Sequence, residues 1–274
     1  MPIPTWSPSR LVDFEKCKFF AALKYDQKIP EPERPLPPGK TEHANDRGSR
    51  IHNEAELYVR GDGPMPSEAG KFADEMAKLR DLYEAGAVSL EGEWGMDRDW
   101  NPCAWNGEWV KTGESAQSHQ FTKAKKLPER GLAGELILVG TQMYAWLPVW
   151  LRLKLDALVH LSPTEAVVID YKSGRKYGNE IKHGEQLQMY QLCTFLRYPE
   201  LEVVHTELWY FDVDDITQKT FTRDQGLRFK RSFDGRGAKL TGCTDFPPNP
   251  NKFSCQWCRY STKPGGSGHC AVGV

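Results

Sequence analysis

The chain has 274 residues, of which 39% are hydrophobic and 27% are charged. This composition is ordinary for a globular protein and allows a sizeable apolar core. A net charge of −1 excludes a protein that binds polyanions over its whole surface. No apolar run approaches the roughly 18 residues of a membrane helix, and the N-terminus has no secretory pattern, so we expect a cytoplasmic protein without membrane contact.

The first third of the chain predicts helices separated by one loop. The helices are expected within residues 6–26, 46–60 and 67–85, with a proline-rich loop over 27–45. Glycines that follow the second and third helices are expected to end them. Ser67 is expected to cap the third helix.

From residue 88 onwards the pattern becomes that of β-strands. Short tryptophan-rich stretches alternate with polar turns, so residues 88–150 are predicted to form a β-rich insert with a lysine-rich loop over 112–130. Two strands joined by a turn are then expected over 151–161 and 166–174. The remaining predictions are a helix over 180–198, a strand over 201–212, a basic helix over 223–236 and an irregular tail from Thr241.

The predicted hairpin carries two carboxylates and a lysine among apolar residues. Asp170 and Lys172 end the second strand, and they share a face because side chains alternate along a strand. Asp156, near the middle of the first strand, can lie across from them. Carboxylates bind Mg²⁺ or Mn²⁺, and a lysine beside the cation can act on attacking water, which suits phosphodiester hydrolysis. A simple ion pair would explain Lys172 but not carboxylates in apolar surroundings.

These segments resemble the nuclease core of the RecB-type branch of the PD-(D/E)XK superfamily. In that branch an Asp precedes a (D/E)-x-K strand, and the next helix carries Q-x-x-x-Y. The matching residues here are Asp156, Asp170, Tyr171, Lys172, Gln186 and Tyr190. The resemblance implies an α/β fold with a central mixed β-sheet flanked by helices. It also implies a catalytic core over 46–60 and 151–212, with Gln186 and Tyr190 on the helix face beside the active site.

The resemblance further implies a set of metal ligands. The family has an upstream helix with a metal-binding histidine, and residues 47–59 resemble that helix, which makes His52 the candidate. Three secondary acidic candidates are Glu54, Glu56 and Glu93. The expected ligands of Mg²⁺ or Mn²⁺ are therefore His52, Asp156, Asp170 and the carbonyl oxygen of Tyr171.

Four of the seven cysteines form a second constellation. Cys255 and Cys258 make a C-x-x-C motif, Cys270 follows in a glycine-rich stretch, and Cys17 lies near the other end of the chain. Four thiolates suit zinc or a [4Fe–4S] cluster, and the chemistry alone favours neither. The other cysteines are expected to be buried or half-buried apolar side chains; they are Cys103, Cys193 and Cys243.

This cysteine arrangement resembles the iron–sulfur staple of some RecB-type nucleases, including helicase–nuclease subunits and CRISPR-associated adaptation nucleases. The resemblance implies that residues 1–26 and 241–274 are joined by a cysteine-ligated metal centre, with a [4Fe–4S] cluster as the expected cofactor. The gap between Cys258 and Cys270 is longer than in that family. His269 is an alternative ligand, which would give a zinc site.

Together these motifs predict one nuclease domain over residues 1–274 that hydrolyses DNA without reading its sequence. We expect an exonuclease on single strands or duplex ends, in the recombination, repair or replication of a phage or bacterium. A recombination protein or helicase is the expected partner, and the host cytoplasm the location if a phage encodes it. Phosphate contacts are expected from basic clusters near Lys123, Arg175 and Arg228. The alternative is a non-catalytic nucleic-acid-binding protein with structural zinc, which would not need the two aspartates and the lysine together.

Overall fold

A computed structural model describes residues 3–33, 35–112, 121–174 and 176–273. Arg175 and residues 113–120 of the predicted lysine-rich loop lie outside the described residues. The helices are α1 (Pro8–Lys16), α2 (Lys18–Ala21), a π-helical turn (Ala22–Asp26), α3 (Ala44–Arg60), a 3₁₀ helix (Ser67–Phe72), α4 (Ala73–Glu84), α5 (Glu180–Arg197), α6 (Arg223–Leu227), α7 (Lys230–Thr241) and α8 (Lys252–Cys255). The strands are β1 (Val88–Met96), β2 (Pro102–Cys103), β3 (Glu108–Lys111), β4 (Thr122–Ala124), β5 (Leu136–Val139), β6 (Gln142–Leu147), β7 (Leu151–Ser162), β8 (Glu165–Lys172), β9 (Val203–Tyr210) and β10 (Asp215–Thr222). Among the helices so described, none is long and apolar enough to span a bilayer.

The N-terminal helices form where the sequence predicts them, with one difference at a cap. Gly61 ends α3 in the left-handed conformation, with φ of 86°, as expected for a C-terminal glycine. The third predicted helix is divided into the 3₁₀ helix and α4. The prediction that Ser67 caps it is wrong, because Pro66 occupies the cap position and the Ser67 hydroxyl donates to Glu68 instead.

The central sheet has six strands in the order β10-β9-β8-β7-β1-β2. β7 and β8 are antiparallel neighbours in its middle, which confirms the predicted hairpin, and β8 runs parallel to β9, so the sheet is mixed. A parallel pair needs a crossover connection, and α5 provides it. β1, which the sequence pattern assigns to the insert, pairs with β7 and belongs to this central sheet.

A second, smaller sheet has the order β3-β6-β5-β4. Its strand β4 falls inside the stretch predicted to be a loop over 112–130, so that prediction is wrong at residues Thr122–Ala124. Gly131 lies against the edge-to-face pair of Trp109 and Trp146, whose ring centroids are 5.2 Å apart. A Cβ at Gly131 would sit 2.5 Å from the Trp109 ring, so only glycine fits this approach.

Apolar side chains cover both faces of the central sheet. Successive residues of β8 divide between two buried clusters: Val168 lies in the cluster that contains Leu192 of α5, and Ile169 lies in the cluster that contains Ile51 of α3. The alternation follows from the two-residue period of a strand. Helices α3 and α5 therefore flank the sheet on opposite sides, which confirms the predicted α/β arrangement.

The two ends of the chain contact each other. Tyr260 of the tail is fully buried, and its hydroxyl donates to the carbonyl oxygen of Ile29 at 2.8 Å. Arg259 donates to the carbonyl of Pro32 at 3.2 Å, and Leu23 shares a small apolar cluster with Tyr260. The C-terminal tail thus docks on the N-terminal segment partly by burial of apolar surface.

Candidate active site

Asp156, Asp170 and Lys172 come together where the β7–β8 pairing ends, at the C-terminal end of β8. Ala157 and Ile169 are paired across the two strands, and each aspartate is the next residue beyond that pair. Lys172 follows Asp170 by two positions and shares its face. The aspartates are nearly buried, with exposed fractions of 7% and 3%. Buried carboxylates are costly unless they have partners, so the partners define what the site can do.

Helix α5 supplies partners of Asp170. The Tyr190 hydroxyl donates to Asp170 Oδ1 at 2.8 Å, and the Gln186 side-chain amide donates to the same oxygen at 3.1 Å. Lys172 donates to Gln186 Oε1 at 2.9 Å. Burial raises the pKa of Tyr190 well above its usual value, and the charge of Asp170 raises it further, so this hydroxyl stays protonated as a donor. One face of α5 therefore holds both Asp170 and Lys172.

The second oxygen of Asp170 faces the ammonium group of Lys172. Asp170 Oδ2 forms an ion pair with Lys172 Nζ. Within the described part of the chain, this buried oxygen has no partner in a normal hydrogen-bond geometry. The charge of Asp170 Oδ2 is thus balanced by one cationic side chain rather than by backbone donors.

Asp156 is held by the backbone of β8 and by α3. Its Oδ2 accepts a hydrogen bond from the backbone N–H of Tyr171 at 2.6 Å, and its Oδ1 lies 2.8 Å from Nδ1 of His52. Burial raises the pKa of Asp156, although the bond to His52 opposes that change. Burial alone lowers the pKa of His52, but the hydrogen bond and charge of Asp156 outweigh it, so the pKa of His52 is raised. The structure thus brings His52 to the two aspartates.

These side chains line an open cleft of about 390 Å³, which we call the Asp–Lys cleft. Three polar residues of the cleft carry no signal in the sequence pattern: Ser49 and Asn53 on α3, and Lys154 on β7. Ser49 lies three residues before His52, so the helix period relates it to His52, whereas Asn53 directly follows His52 and could not be found in this way. Lys154 precedes Asp156 by two residues and shares its face.

The secondary acidic candidates have other partners or positions. Glu56 lines the Asp–Lys cleft but accepts hydrogen bonds from Arg60, and Glu54 is paired with Arg50. Glu93 lies opposite Lys154 in the β1–β7 register. None of the three is bonded to the two aspartates in the described residues.

The side chains of the Asp–Lys cleft suit a hard divalent cation once two of their present contacts are broken. Carboxylate oxygens are the ligands that suit Mg²⁺ and Mn²⁺, and the imidazole nitrogen of His52 adds a donor of the kind that transition metals accept. Asp170 Oδ2 lacks fixed donors. As the side chains stand, no three His, Cys, Asp or Glu residues within the described ranges are arranged to hold a metal ion. The reason is visible in the partners: Lys172 neutralises Asp170, and His52 is bonded to Asp156. A bound cation would replace both contacts.

A comparison with known protein families identifies the superfamily of this chain. The sequence profile of the PD-(D/E)XK nuclease superfamily matches residues 5–262, which is most of the chain. The chain belongs to the PD-(D/E)XK nuclease superfamily. The matched range includes the predicted Asp156, Asp170 and Lys172 and extends over the N-terminal segment and most of the tail. This finding confirms the superfamily, but it does not distinguish the RecB-type branch.

Two solved structures align with most of this chain at low similarity. The protein SSO0001 aligns with 99% of this chain and 88% of its own, at 12% identity and a TM-score of 0.41. A protein from Eubacterium rectale named "Putative exonuclease" aligns with 95% of this chain and 90% of its own, at 13% identity and a TM-score of 0.44. The comparison with curated proteins gave no match.

The four predicted cysteines face one cavity, which we call the cysteine cavity. Cys17, Cys255, Cys258 and Cys270 all line this space of about 250 Å³ between the two chain ends. Burial raises the pKa of Cys258, and the three neighbouring cysteines raise it further. No metal-binding arrangement of these side chains is present in the described residues. The other predictions hold: Cys103 and Cys193 are buried, and Cys243 is half-buried.

Proposed function

We propose that this chain is a metal-dependent deoxyribonuclease whose active site is the Asp–Lys cleft. The observation that carries the proposal is the pairing of buried Asp170 with Lys172, both held by one face of α5, beside a second buried carboxylate, Asp156. A structural ion pair would not require Gln186 and Tyr190 to converge on the same oxygen of Asp170. Superfamily membership supports phosphodiester hydrolysis as the chemistry.

Each residue of the cleft has a role in this proposal. Asp156, Asp170 and His52 would hold Mg²⁺ or Mn²⁺, with the carbonyl oxygen of Tyr171 as a further ligand. The cation supplies charge neutralisation at the scissile phosphate. Lys172, released from Asp170, would orient the attacking water or accept its proton, or would donate to a phosphate oxygen where negative charge develops. Gln186 and Tyr190 position Asp170 and Lys172.

For the substrate, we propose DNA recognised through its phosphates, cut from single strands or duplex ends. Exposed basic residues around the cleft support backbone contacts without base reading. Residues 1–274 would act as one nuclease domain in the cytoplasm, in recombination, repair or replication, with a recombination protein or helicase as partner. We propose that the protein acts in a phage or a bacterium.

We also propose that the cysteine cavity binds a [4Fe–4S] cluster, with zinc as the alternative. Two backbone amides support this by pointing at sulfur: Asn249 N lies 3.5 Å from Cys17 Sγ, and Asn251 N lies 3.4 Å from Cys255 Sγ. Hydrogen bonds to ligand sulfurs are usual around such clusters. His269 is bonded to Ser267, so it is the less direct ligand. The role is to fix the two chain ends, not to cut DNA.

The test is a cleavage assay of the wild-type protein on labelled single-stranded and duplex DNA in Mg²⁺, in Mn²⁺ and in EDTA. We expect cleavage with either metal and none in EDTA. Lys172→Ala should abolish cleavage while the protein stays folded, and Lys78→Ala, an exposed lysine on α4, should cut like the wild type. Cleavage by Lys172→Ala at the wild-type rate would show that the active site is elsewhere.

The metal content of the cysteine cavity is measured separately. Anaerobically purified protein should contain about four irons per chain, as four thiolate ligands predict, and should absorb in the visible range. One zinc per chain without visible absorption would support the alternative. Active protein containing neither iron nor zinc would rule out a metal in this cavity.

A further inference from the structure

Two large apolar side chains are exposed beside the Asp–Lys cleft. Tyr177 is 78% exposed and Ile181 is 84% exposed. They lie five and nine residues after Lys172, in the loop that leaves β8 and in the first turn of α5. Single exposed apolar residues are ordinary on a protein surface. This pair differs from such residues in its position close to Lys172 and in the hydrogen-bonded turn that supports it.

The backbone under Tyr177 is anchored on both sides. The preceding Lys176 forms an ion pair with Asp215 on β10 and lies 5.7 Å from the ring centre of Tyr210. The N–H of Asn179 donates to the carbonyl of Lys176 at 3.3 Å, which closes a turn around Tyr177. Gly178 takes the left-handed conformation that this turn needs, with φ of 84°. The loop therefore holds the Tyr177 ring out in solvent.

The pair lies close in the chain to residues that line two clefts, both of which contain Lys172. A second cleft, lined in part by Lys182 and Glu185, shares Lys172 and Gln186 with the Asp–Lys cleft. The two clefts are thus neighbours that meet at these two side chains. Ile181 lies one helical turn before Glu185, and exposed Lys182 is its neighbour in sequence. Lys182 lines the second cleft, and the exposed side chains of Tyr177 and Ile181 precede it closely in the chain, just outside that lining.

This combination matches the chemistry of an unpaired nucleotide. A base stacks on an aromatic ring whatever its identity, while a lysine contacts the adjacent phosphate. Bases inside a duplex are already stacked and present only their edges.

We propose that Tyr177, supported by Ile181, is a base-stacking platform that makes this nuclease prefer single strands and frayed ends over intact duplex. The proposal rests on the proposed function and names its substrate class. Tyr177 touches a base away from the scissile bond, so it sets substrate preference and affinity and leaves the chemical step to the Asp–Lys cleft.

The test measures binding apart from cleavage. Fluorescence anisotropy in EDTA gives the affinity for a labelled single-stranded oligothymidylate, for a blunt duplex, and for an abasic strand of equal length. Tyr177→Ala should weaken binding to the oligothymidylate about tenfold, as expected for one lost stacked base. Its affinities for the duplex and for the abasic strand should not change. Tyr177→Phe and Tyr177→Trp should retain single-strand affinity because they retain a ring.

Leu132→Ala is the matched control, since Leu132 is 77% exposed and precedes β5 in the other sheet. It should bind all three probes like the wild type. The proposal is overturned if Tyr177→Ala binds the oligothymidylate normally, as a surface for a protein partner would allow. It is also overturned if duplex and single strand weaken equally, if Tyr177→Phe behaves like Tyr177→Ala, or if the wild type does not bind single strands. Absence of metal-dependent cleavage would instead refute the proposed function.

Discussion

The Asp–Lys cleft and the cysteine cavity differ in the secondary structure that forms their walls. The cleft takes its side chains from regular elements, namely β7, β8, α3 and α5, and its buried polar groups are bonded to one another. The cysteine cavity lies between a π-helical turn and an irregular tail, and its walls include the aromatic rings of Phe19, Phe20 and Trp257. The comparison teaches that rigid elements hold the groups that do chemistry, whereas irregular segments need local cross-links to stay in place.

This difference predicts that the two regions fail in different ways. A substitution in the cleft removes chemistry from a scaffold that keeps its core, because the strands and helices around it are packed independently of the site. A substitution in the cysteine cavity releases the tail, because few backbone hydrogen bonds hold residues 242–273 in regular structure. The variants below test that division.

The largest effect is expected from Asp170→Asn. This change removes a metal ligand and the charge that positions Lys172, so cleavage should fall by roughly 10³-fold or more. Steady-state cleavage in Mn²⁺ measures it. Asp62→Asn, at an exposed position after α3, is the control and should cut normally. Asp170→Asn with near-wild-type activity would show that the carboxylate only stabilises the fold.

The next effect concerns stability. Cys17→Ala should lose the metal and lower the Tm by roughly 10 °C, because the two chain ends are no longer tied together. Differential scanning calorimetry and metal analysis measure both. Cys193→Ala, which changes a fully buried cysteine on α5 outside the cavity, should keep its full metal content. If Cys17→Ala keeps both metal and Tm, the cavity has no metal-binding role.

A smaller loss is expected from Tyr190→Phe. It removes one hydroxyl that donates to Asp170 Oδ1 and leaves Gln186 in place. Loss of such a positioning bond typically costs 10- to 100-fold, so we expect roughly that fall in kcat with KM unchanged. Tyr198→Phe, just after α5, is the matched control. An increase in KM alone would instead indicate that Tyr190 contacts substrate.

The smallest effect is a change in the salt dependence of binding. Affinity for single-stranded DNA should fall steeply with salt, because phosphate contacts release counterions. Lys182→Ala should reduce the slope of log affinity against log salt by about 0.7, the value for one phosphate contact. Anisotropy titrations at several salt concentrations measure the slope. An unchanged slope would place Lys182 away from the strand, and Lys78→Ala should show no change.

The sequence predicts those parts of the fold that have a strong local pattern. β7, β8 and α5 were recoverable because their apolar periods are clear and their ends carry turn residues. β10 was not, because Asp215–Thr222 is a polar edge strand that is stable only through its pairing with β9. β6 was missed for a similar reason, since the pairing with β3 and β5 decides its state.

The candidate site was predictable to the level of residues but not of contacts. Spacing along a strand placed Asp170 and Lys172 on one face, and a family pattern added His52, Gln186 and Tyr190. No local pattern could show that Gln186 and Tyr190 bond to Asp170, since that depends on how α5 packs on the sheet. Lys154, Ser49 and Asn53 were missed because lysine, serine and asparagine are common on exposed surfaces, and only the assembled cleft distinguishes these three from other polar residues of β7 and α3.

The most direct test of the account measures Tm and cleavage rate together for Lys172→Ala and Cys258→Ala. The account predicts that Lys172→Ala loses cleavage in Mn²⁺ and keeps a cooperative unfolding transition close to that of the wild type. Cys258→Ala should unfold at a markedly lower temperature yet cut at the wild-type rate per folded molecule. A Lys172→Ala protein that cuts DNA normally, or a Cys258→Ala protein that is fully folded but inactive, would contradict it.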